Sequence, residues 1–362
     1  MKKNIFRNKK IIVTGHTGFK GSWLSLWLHT LGANIIGISK DIPTKPSHFE
    51  SIDLKKRMKN LKINICDYKK LSNAFKAQQP DFVFHLAAQA LVKRSYSNPI
   101  ETWQTNTIGT LNVLESLKLI KKDVCAVIIT SDKSYKNIEI SRGYKENDLL
   151  GGKDPYSASK GSAEFVIQSY INSYFLKKKN NVFISVARAG NVIGGGDWSS
   201  DRLIPDCMKS YSKNKPVEIR NPYSTRPWQH VLDIIYGYLT LCSALYKNKK
   251  IHGEVFNFGP SKKSNFTVLY ILTKIKNILP NLKWKIFEKR NTFYESKLLK
   301  LNSNKAKLKL GWNSILTISE SIKLVSEWYN NFYNKKNRNK KKELYKFSVS
   351  QINYYTKKLK KL

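Results

Sequence analysis

A chain of 362 residues with 41% hydrophobic side chains is long enough for one large α/β domain, a smaller partner and a sizeable core. No apolar run reaches the ~18 residues of a membrane span, since the longest, near 23–31, is interrupted by Ser25 and His29. The formal charge of +40 invites a nucleic-acid reading, yet the lysines are spread along the whole chain. That spread is the mark of lysine at solvated positions, so the expectation is no specific nucleic-acid partner and a field that favours anionic ligands. The basic start is followed by a strand and a glycine turn instead of an apolar leader, which predicts a cytoplasmic protein. Cys66, Cys125, Cys207 and Cys242 lie far apart with no Cys-x-x-Cys pair, and read as reduced thiols with no metal site.

Lys10–Thr14 reads as a short apolar strand that runs straight into Gly15-His16-Thr17-Gly18-Phe19-Lys20-Gly21. A helix pattern follows, with Trp23, Leu24, Trp27, Leu28 and Leu31 on one side and Gly32 at a natural stop. Strand, glycine turn and helix in that order form a dinucleotide fingerprint. Gly15 suits the tight turn, Gly18 admits a pyrophosphate and Gly21 allows close packing on the sheet. Cofactor contacts are therefore expected from Gly15, His16, Thr17, Gly18, Phe19 and Gly21. A second strand, Asn34–Ser39, should end near the adenosine ribose, where an acid would bind the 2′-hydroxyl. Asp41 is the candidate, with Lys40 opposing it, and NAD is the favoured cofactor. Residues 63–67 read as the third strand, with Asn64 and Ile65 near the adenine. Residues 81–86 read as the fourth, and Leu86, Ala87 and Ala88 leave room for a cofactor across the strand ends.

Residues 98–119 follow as one long helix, whose Asn106 should brace strand ends. The fifth strand, 124–131, delivers Ser131-Asp132-Lys133 to its carboxyl end, where ligands sit in an open α/β sheet. Helix 156–176 begins with Tyr156 and Lys160, four residues apart and so on one face. An adjacent ammonium favours the phenolate and makes Tyr156 usable as a proton acceptor. A sixth strand, 182–187, runs into the glycine cluster 190–198, which ends the strand-helix alternation. Beyond it, Arg220 and Arg226 stand beside aromatic residues, and arginine forks suit a diphosphate. Further helices are expected over 233–246, 267–279 and 318–332, with a strand over 254–258.

The fold class expected is α/β, a Rossmann-type doubly wound parallel sheet with a smaller α/β substrate-binding domain. Residues 1–190 form the dinucleotide-binding domain, with 231–258 returning to it, and 191–230 and 259–333 form the substrate domain. Residues 334–362 hold eleven Lys or Arg against one acid, Glu343, and read as a mobile basic tail.

The glycine turn, Ser131-Asp132-Lys133, Tyr156-x-x-x-Lys160, the stretch Arg188-Ala189-Gly190-Asn191-Val192-Ile193-Gly194-Gly195-Gly196-Asp197-Trp198 and Arg226-Pro227-Trp228-Gln229-His230-Val231 together resemble the CDP-glucose 4,6-dehydratases of the extended short-chain dehydrogenase/reductase group. The resemblance implies an NAD-dependent internal redox cycle on a nucleotide hexose, with oxidation at C4, loss of water across C5 and C6, and reduction at C6. It assigns the C4 hydroxyl proton to Tyr156, with Lys160 and Ser131 in support, and the leaving hydroxyl at C6 to Asp132 as general acid. Related dehydratases carry a glutamate base where Lys133 stands, so Lys133 is expected either to act as the base or to hold the enolate oxygen or Asp132. Asn191 and Arg226 match positions that meet the substrate diphosphate, with Arg202, Arg220 and His230 as further substrate contacts. The resemblance also implies a homodimer paired through the helices starting near Asn98 and Tyr156, and a product bound for deoxysugars of surface polysaccharides such as lipopolysaccharide O-antigen. An epimerase or reductase on the same fold would need only the Tyr/Lys pair and has no use for an acid and a cation at 132 and 133.

Overall fold

The computed structural model describes residues 4–177, 179–260, 265–287, 298–334 and 340–361. Eleven strands are present among them: β1 (Lys10–Thr14), β2 (Asn34–Ser39), β3 (Lys59–Lys62), β4 (Phe82–His85), β5 (Val124–Ile129), β6 (Val182–Ala189), β7 (Val217–Ile219), β8 (Thr225–Pro227), β9 (Val255–Phe258), β10 (Asn265–Thr267) and β11 (Trp284–Ile286).

Side-chain alternation along the central strands sets the architecture. Ile11, Val13, Phe82, Phe84, Cys125 and Val127 pack on one face with Trp23, Leu24 and Leu28 of helix Phe19–Thr30 and with helix Val231–Lys247. Ile12, Ile36, Val83, Ala126 and Ile184 pack on the other with Leu71, Val113, Leu114 and Ile167, from helices Tyr68–Gln78, Gly109–Leu117 and Pro155–Tyr170. With both faces covered, β4 and β5 are buried at every position and read as unbroken apolar runs. The seven-stranded sheet has the order β3-β2-β1-β4-β5-β6-β9, and all neighbours are parallel. The order reverses between β1 and β4, so the crevice outside their carboxyl ends is where a ligand belongs.

β1 and β2 have the bounds expected from the sequence, whereas the third strand does not. It lies at Lys59–Lys62, pairing Ile36 with Lys59 through Ser39 with Lys62, four residues before the apolar pair Ile63 and Ile65. As an edge strand it carries lysines, and the apolar signal belongs to the turn behind it, which Asp67 closes by capping helix Tyr68–Gln78. The long helix over 98–119 is three pieces, Pro99–Trp103, a π-helical turn Gln104–Ile108 and Gly109–Leu117. Asn106 sits fully buried in that turn and braces the exit of β4, as its side chain bonds both backbone groups of Gln89 and the Ser159 hydroxyl.

Beyond the main sheet, β7 pairs with β11 and β8 with β10, next to helices Leu203–Ser212 and Val268–Lys276. The glycine cluster after β6 lets bulky rings approach: a Cβ at Gly195 would stand 2.1 Å from the Trp328 ring. The mobile-tail reading is corrected over the described part of it, because Lys340–Leu359 is a helix that buries Leu344, Ser348, Gln351, Ile352 and Tyr355, while 335–339 and 362 lie outside the described residues. Its lysines face outward while Trp328 donates to Ser348 Oγ at 2.9 Å and Tyr355 to Asp233 Oδ1 at 2.8 Å. Among the described residues no helix is long and apolar enough to cross a membrane, and no group of His, Cys, Asp or Glu could hold a metal. All four cysteines are free, three of them buried.

Candidate active site

β5 ends at Ile129, and the chain then folds into a single 3-10 turn, Asp132–Ser134. Ser131 shapes this turn: its hydroxyl accepts from Lys133 N at 3.2 Å and donates to Asp132 Oδ1 at 3.0 Å, while its carbonyl accepts from Ser134 Oγ at 2.7 Å. Across from it, Asp154 caps helix Pro155–Tyr170 by accepting from Ser157 N at 3.0 Å and Ser157 Oγ at 2.6 Å. Pro155 fixes the first turn, and Tyr156 follows with its backbone N–H on Ser95 Oγ at 3.1 Å. One turn beyond Lys160, Glu164 accepts a bidentate pair from Arg188 of β6 at 2.8 and 3.0 Å and a bond from Thr130 Oγ1 at 2.5 Å. This buried knot clamps the helix to the ends of β5 and β6.

These side chains meet in an open cleft of about 530 Å³. Ser131, Asp132, Lys133, Tyr156, Asn191, Arg202, Arg220 and Arg226 all line it, so the structure brings together eight of the residues singled out in the sequence. Arg202 is held by Asp197 Oδ2 at 3.0 Å. Lys160 lies buried behind Tyr156 and outside the cleft wall. His230 is corrected: it is fully buried, and its Nδ1 accepts from Leu232 N at 3.2 Å as the cap of helix Val231–Lys247, away from the cleft. Burial pushes its imidazole down to about 3, so it stays neutral.

Burial dominates the electrostatics. It pushes the Tyr156 phenol up to about 12, against the Ser131 hydrogen bond, which pulls it down. It also raises Asp132, against Lys133, the Ser131 hydrogen bond and Lys20. Lys160 is held down at about 8 by burial, with Lys20 adding to the effect and Glu164 opposing it. The phenol in the free protein is therefore a weak acid, and a buried carboxyl with a raised pKa stands beside it.

The glycine turn fits a dinucleotide. Gly18 starts helix Phe19–Thr30 with no side-chain cap and no acid in the first turn, so orphan N–H groups and the positive helix end face the turn. Gly15 has φ +76, and a Cβ there would stand 2.7 Å from Ala87 N; one at Gly21 would stand 2.1 Å from Gly15 O. The walls are backbone, as close approach of a pyrophosphate requires. The His16 side chain is turned under β2 and β3, bonding Ser39 Oγ at 3.0 Å and Asn60 Oδ1 at 2.5 Å, which leaves its backbone to the turn. Thr17 Oγ1 donates to the Asp41 carbonyl at 2.7 Å, tying the turn to the end of β2. Phe19 is half-buried at the helix start, packed against the core. Leu86, Ala87 and Ala88 are half-buried at the carboxyl end of β4, next to β1, and Leu86 N donates to Thr14 O. Asn64 is exposed beside buried Ile65.

Sequence reasoning passed over Lys20, which lines the same cleft. The signal was present: three and four residues before Trp23 and Leu24 on the buried stripe, an apolar residue is expected.

The doubly wound sheet, glycine turn and Tyr/Lys helix define a short-chain dehydrogenase/reductase-type protein. The structure resembles UDP-glucose 4-epimerase from Thermotoga maritima with UDP-glucose, at TM-score 0.77 and 25% identity over 89% of this chain and 99% of that one. It equally resembles UDP-glucuronic acid 4-epimerase from Bacillus cereus with UDP-glucuronic acid and NAD, at TM-score 0.77 and 25% identity over 90% and 100%. The family model for GDP-mannose 4,6 dehydratase matches residues 12–325, and the chain belongs to that family. Among curated relatives, CDP-glucose 4,6-dehydratase of Salmonella typhimurium is 44% identical over 90% of this chain and 92% of its own. The dTDP-glucose 4,6-dehydratase of Haemophilus influenzae is 28% identical over 88% and 97%.

Proposed function

We propose that the chain is an NAD-dependent 4,6-dehydratase, a hydro-lyase that converts CDP-glucose to its 4-dehydro-6-deoxy product and water. The observation that carries this reading is the buried Asp132 beside Lys133 and Tyr156 in one cleft, an arrangement that epimerisation does not need. Identity of 44% across nearly the whole of a CDP-glucose dehydratase supports the choice of nucleotide.

NAD, when bound in the glycine turn, supplies the acceptor for the C4 hydrogen and its return to C6. Gly15, Gly18 and Gly21 would hold its pyrophosphate, Asn64 and Ile65 would lie near the adenine, and Leu86, Ala87 and Ala88 would lie beneath it. Tyr156 takes the proton of the C4 hydroxyl, with Ser131 bonded to the same oxygen. Because burial favours the phenol, this step needs positive charge, which the Lys160 ammonium provides. The resulting ketone acidifies C5, and Asp132, whose carboxyl burial raises above its ordinary range, gives its proton to the departing C6 hydroxyl. Lys133 takes the C5 proton, holds the enolate oxygen, or holds Asp132; a Lys133→Ala enzyme that exchanges the C5 hydrogen with solvent at the normal rate excludes the first. Asn191, Arg202, Arg220 and Arg226 hold the diphosphate.

The test is to incubate the purified protein separately with CDP-glucose, dTDP-glucose, UDP-glucose and GDP-mannose, adding no reductant. Loss of one water from CDP-glucose alone is the expected result. An isomer of unchanged mass would mean epimerisation and sink the roles given to Asp132 and Lys133.

The reading extends to a cytoplasmic homodimer supplying deoxysugars for surface polysaccharide such as O-antigen. Exposed Ile100, Trp103, Ile108, Phe165, Tyr174 and Leu176 on the two expected pairing helices support the dimer, which sedimentation tests.

A further inference from the structure

Trp23, Leu24, Trp27 and Leu28 form the buried stripe of helix Phe19–Thr30, and Lys20, half-buried, stands one turn before it at the cleft. A cation there loses part of its water, so its retention calls for a partner. Among the described residues no carboxylate forms an ion pair with it: Asp197 is taken by Arg202, and Asp132 Oδ1 by Ser131. Lys20 lines the cleft together with Asp132, Lys133, Tyr156 and Arg202. Its neighbour Gly21 packs against the turn that starts the helix, where a Cβ would stand 2.1 Å from Gly15 O.

The charged groups around Lys20 come from four elements. Asp132 in the turn after β5 and Asp197 after β6 favour its ammonium, Arg202 disfavours it, and Lys160 on helix Pro155–Tyr170 is itself disfavoured by Lys20. Burial is the largest influence, and the amine is held down at about 8. A neutral fraction of roughly a tenth is then present at pH 7.

We propose that Lys20 is the base of the elimination, facing the hexose from the cofactor turn, while Lys133 steadies Asp132 and the enolate oxygen. This rests on the dehydratase reading above. The neutral amine takes the C5 proton, and the C5–H electron pair becomes the C5–C6 double bond as the C6–O bond breaks. The Asp132 proton goes to the departing hydroxyl, giving water. The ammonium of Lys20 returns its proton to C5 when C6 is reduced, and the proton that Tyr156 took from the C4 hydroxyl replaces the one Asp132 gave.

Lys20→Met and Lys20→Arg are compared with the wild-type protein on CDP-glucose in deuterium oxide, reading bound dinucleotide, melting temperature, deuterium at C5 and the pH profile of kcat. Both variants are expected to keep the dinucleotide and to lose C5 exchange and product by about 100-fold or more. The wild-type rise of kcat through about pH 8 should vanish with them. Rescue by Lys20→Arg would reduce Lys20 to a fixed charge, and persistent C5 exchange in either variant would place the base elsewhere. Loss of bound dinucleotide would make Lys20 a cofactor residue. If Lys20→Met fails to fold, Lys20→Arg, which keeps charge and bulk, still decides. A wild-type protein that removes water from none of the nucleotide hexoses would sink the dehydratase reading and this proposal together, whereas the other outcomes sink only Lys20.

Discussion

A missing methyl group decides where the acid of this site can lie. A Cβ at Gly190 would stand 2.9 Å from Asp132 Oδ2, closer than ordinary contact allows. The carboxyl is already fixed on its other side by Ser131. In Gly190→Ala the carboxyl must swing away, and misplacement of about 1 Å can cost a reaction up to ~100-fold. We expect kcat for water loss to fall by that order with KM and melting temperature little changed, measured by steady-state kinetics and calorimetry. Tyr156→Phe tests the neighbouring role: the fold should persist, while removal of the proton acceptor lowers kcat by about 100-fold or more. Equal turnover by the phenylalanine variant would remove Tyr156 from the chemistry.

At the scale of elements, two buried contacts hold the site's walls in place. Arg188 and Glu164 are almost fully buried and doubly bonded, joining β6 to helix Pro155–Tyr170. Removing one partner strands the other charge, so Glu164→Gln should cost about 3–5 kcal/mol of stability, read from urea unfolding. Asp233 is the second contact: it accepts from Ile315 N at 2.9 Å, Ser314 Oγ at 2.9 Å and Tyr355 at 2.8 Å, joining the C-terminal helix to helix Val231–Lys247. Burial outweighs those bonds and raises its carboxyl to about 6. The folded state then binds more protons than the unfolded chain between about pH 4 and 6, so stability from this group is full below that window and falls as pH rises through it. Asp233→Asn should abolish that fall, about 3 kcal/mol at most, in unfolding midpoints compared at both ends of the window. Such contacts explain what could be read in the chain beforehand. β1, β2, Ser131-Asp132-Lys133 and Tyr156/Lys160 were legible because their signals are local: apolar runs closed by glycine, and reactive groups within one turn. The C-terminal helix was not, because its buried face includes Ser348 and Gln351 amid lysines and becomes core only against Leu324, Trp328 and Asp233. The pairing of Glu164 with Arg188 was invisible for the same reason, the two being 24 residues apart in the chain, and His230 looked like a ligand until its place as a helix cap emerged.

For the whole molecule, the charge of +40 acts at a distance, because the cleft itself is nearly balanced. Six lysines and arginines line it (Lys20, Lys93, Lys133, Arg202, Arg220 and Arg226) against five acids (Asp132, Asp197, Asp201, Asp206 and Glu218). Attraction of a dianionic nucleotide sugar must therefore come largely from lysines outside the cleft, spread over the surface. Charges beyond one Debye length, about 10 Å at 0.1 M salt and about 3 Å at 1 M, are screened. On the proposed reading the cleft arginines touch the diphosphate and are screened far less, so the two contributions separate in a salt titration. KM for the nucleotide sugar should rise several-fold between low salt and about 0.1 M and then level off, with kcat unchanged throughout. Steady-state kinetics across potassium chloride concentrations would show this. A KM that keeps climbing to molar salt would mean that the recognising charges are themselves solvent-exposed, and a flat KM would mean that the surface lysines have no part in capture.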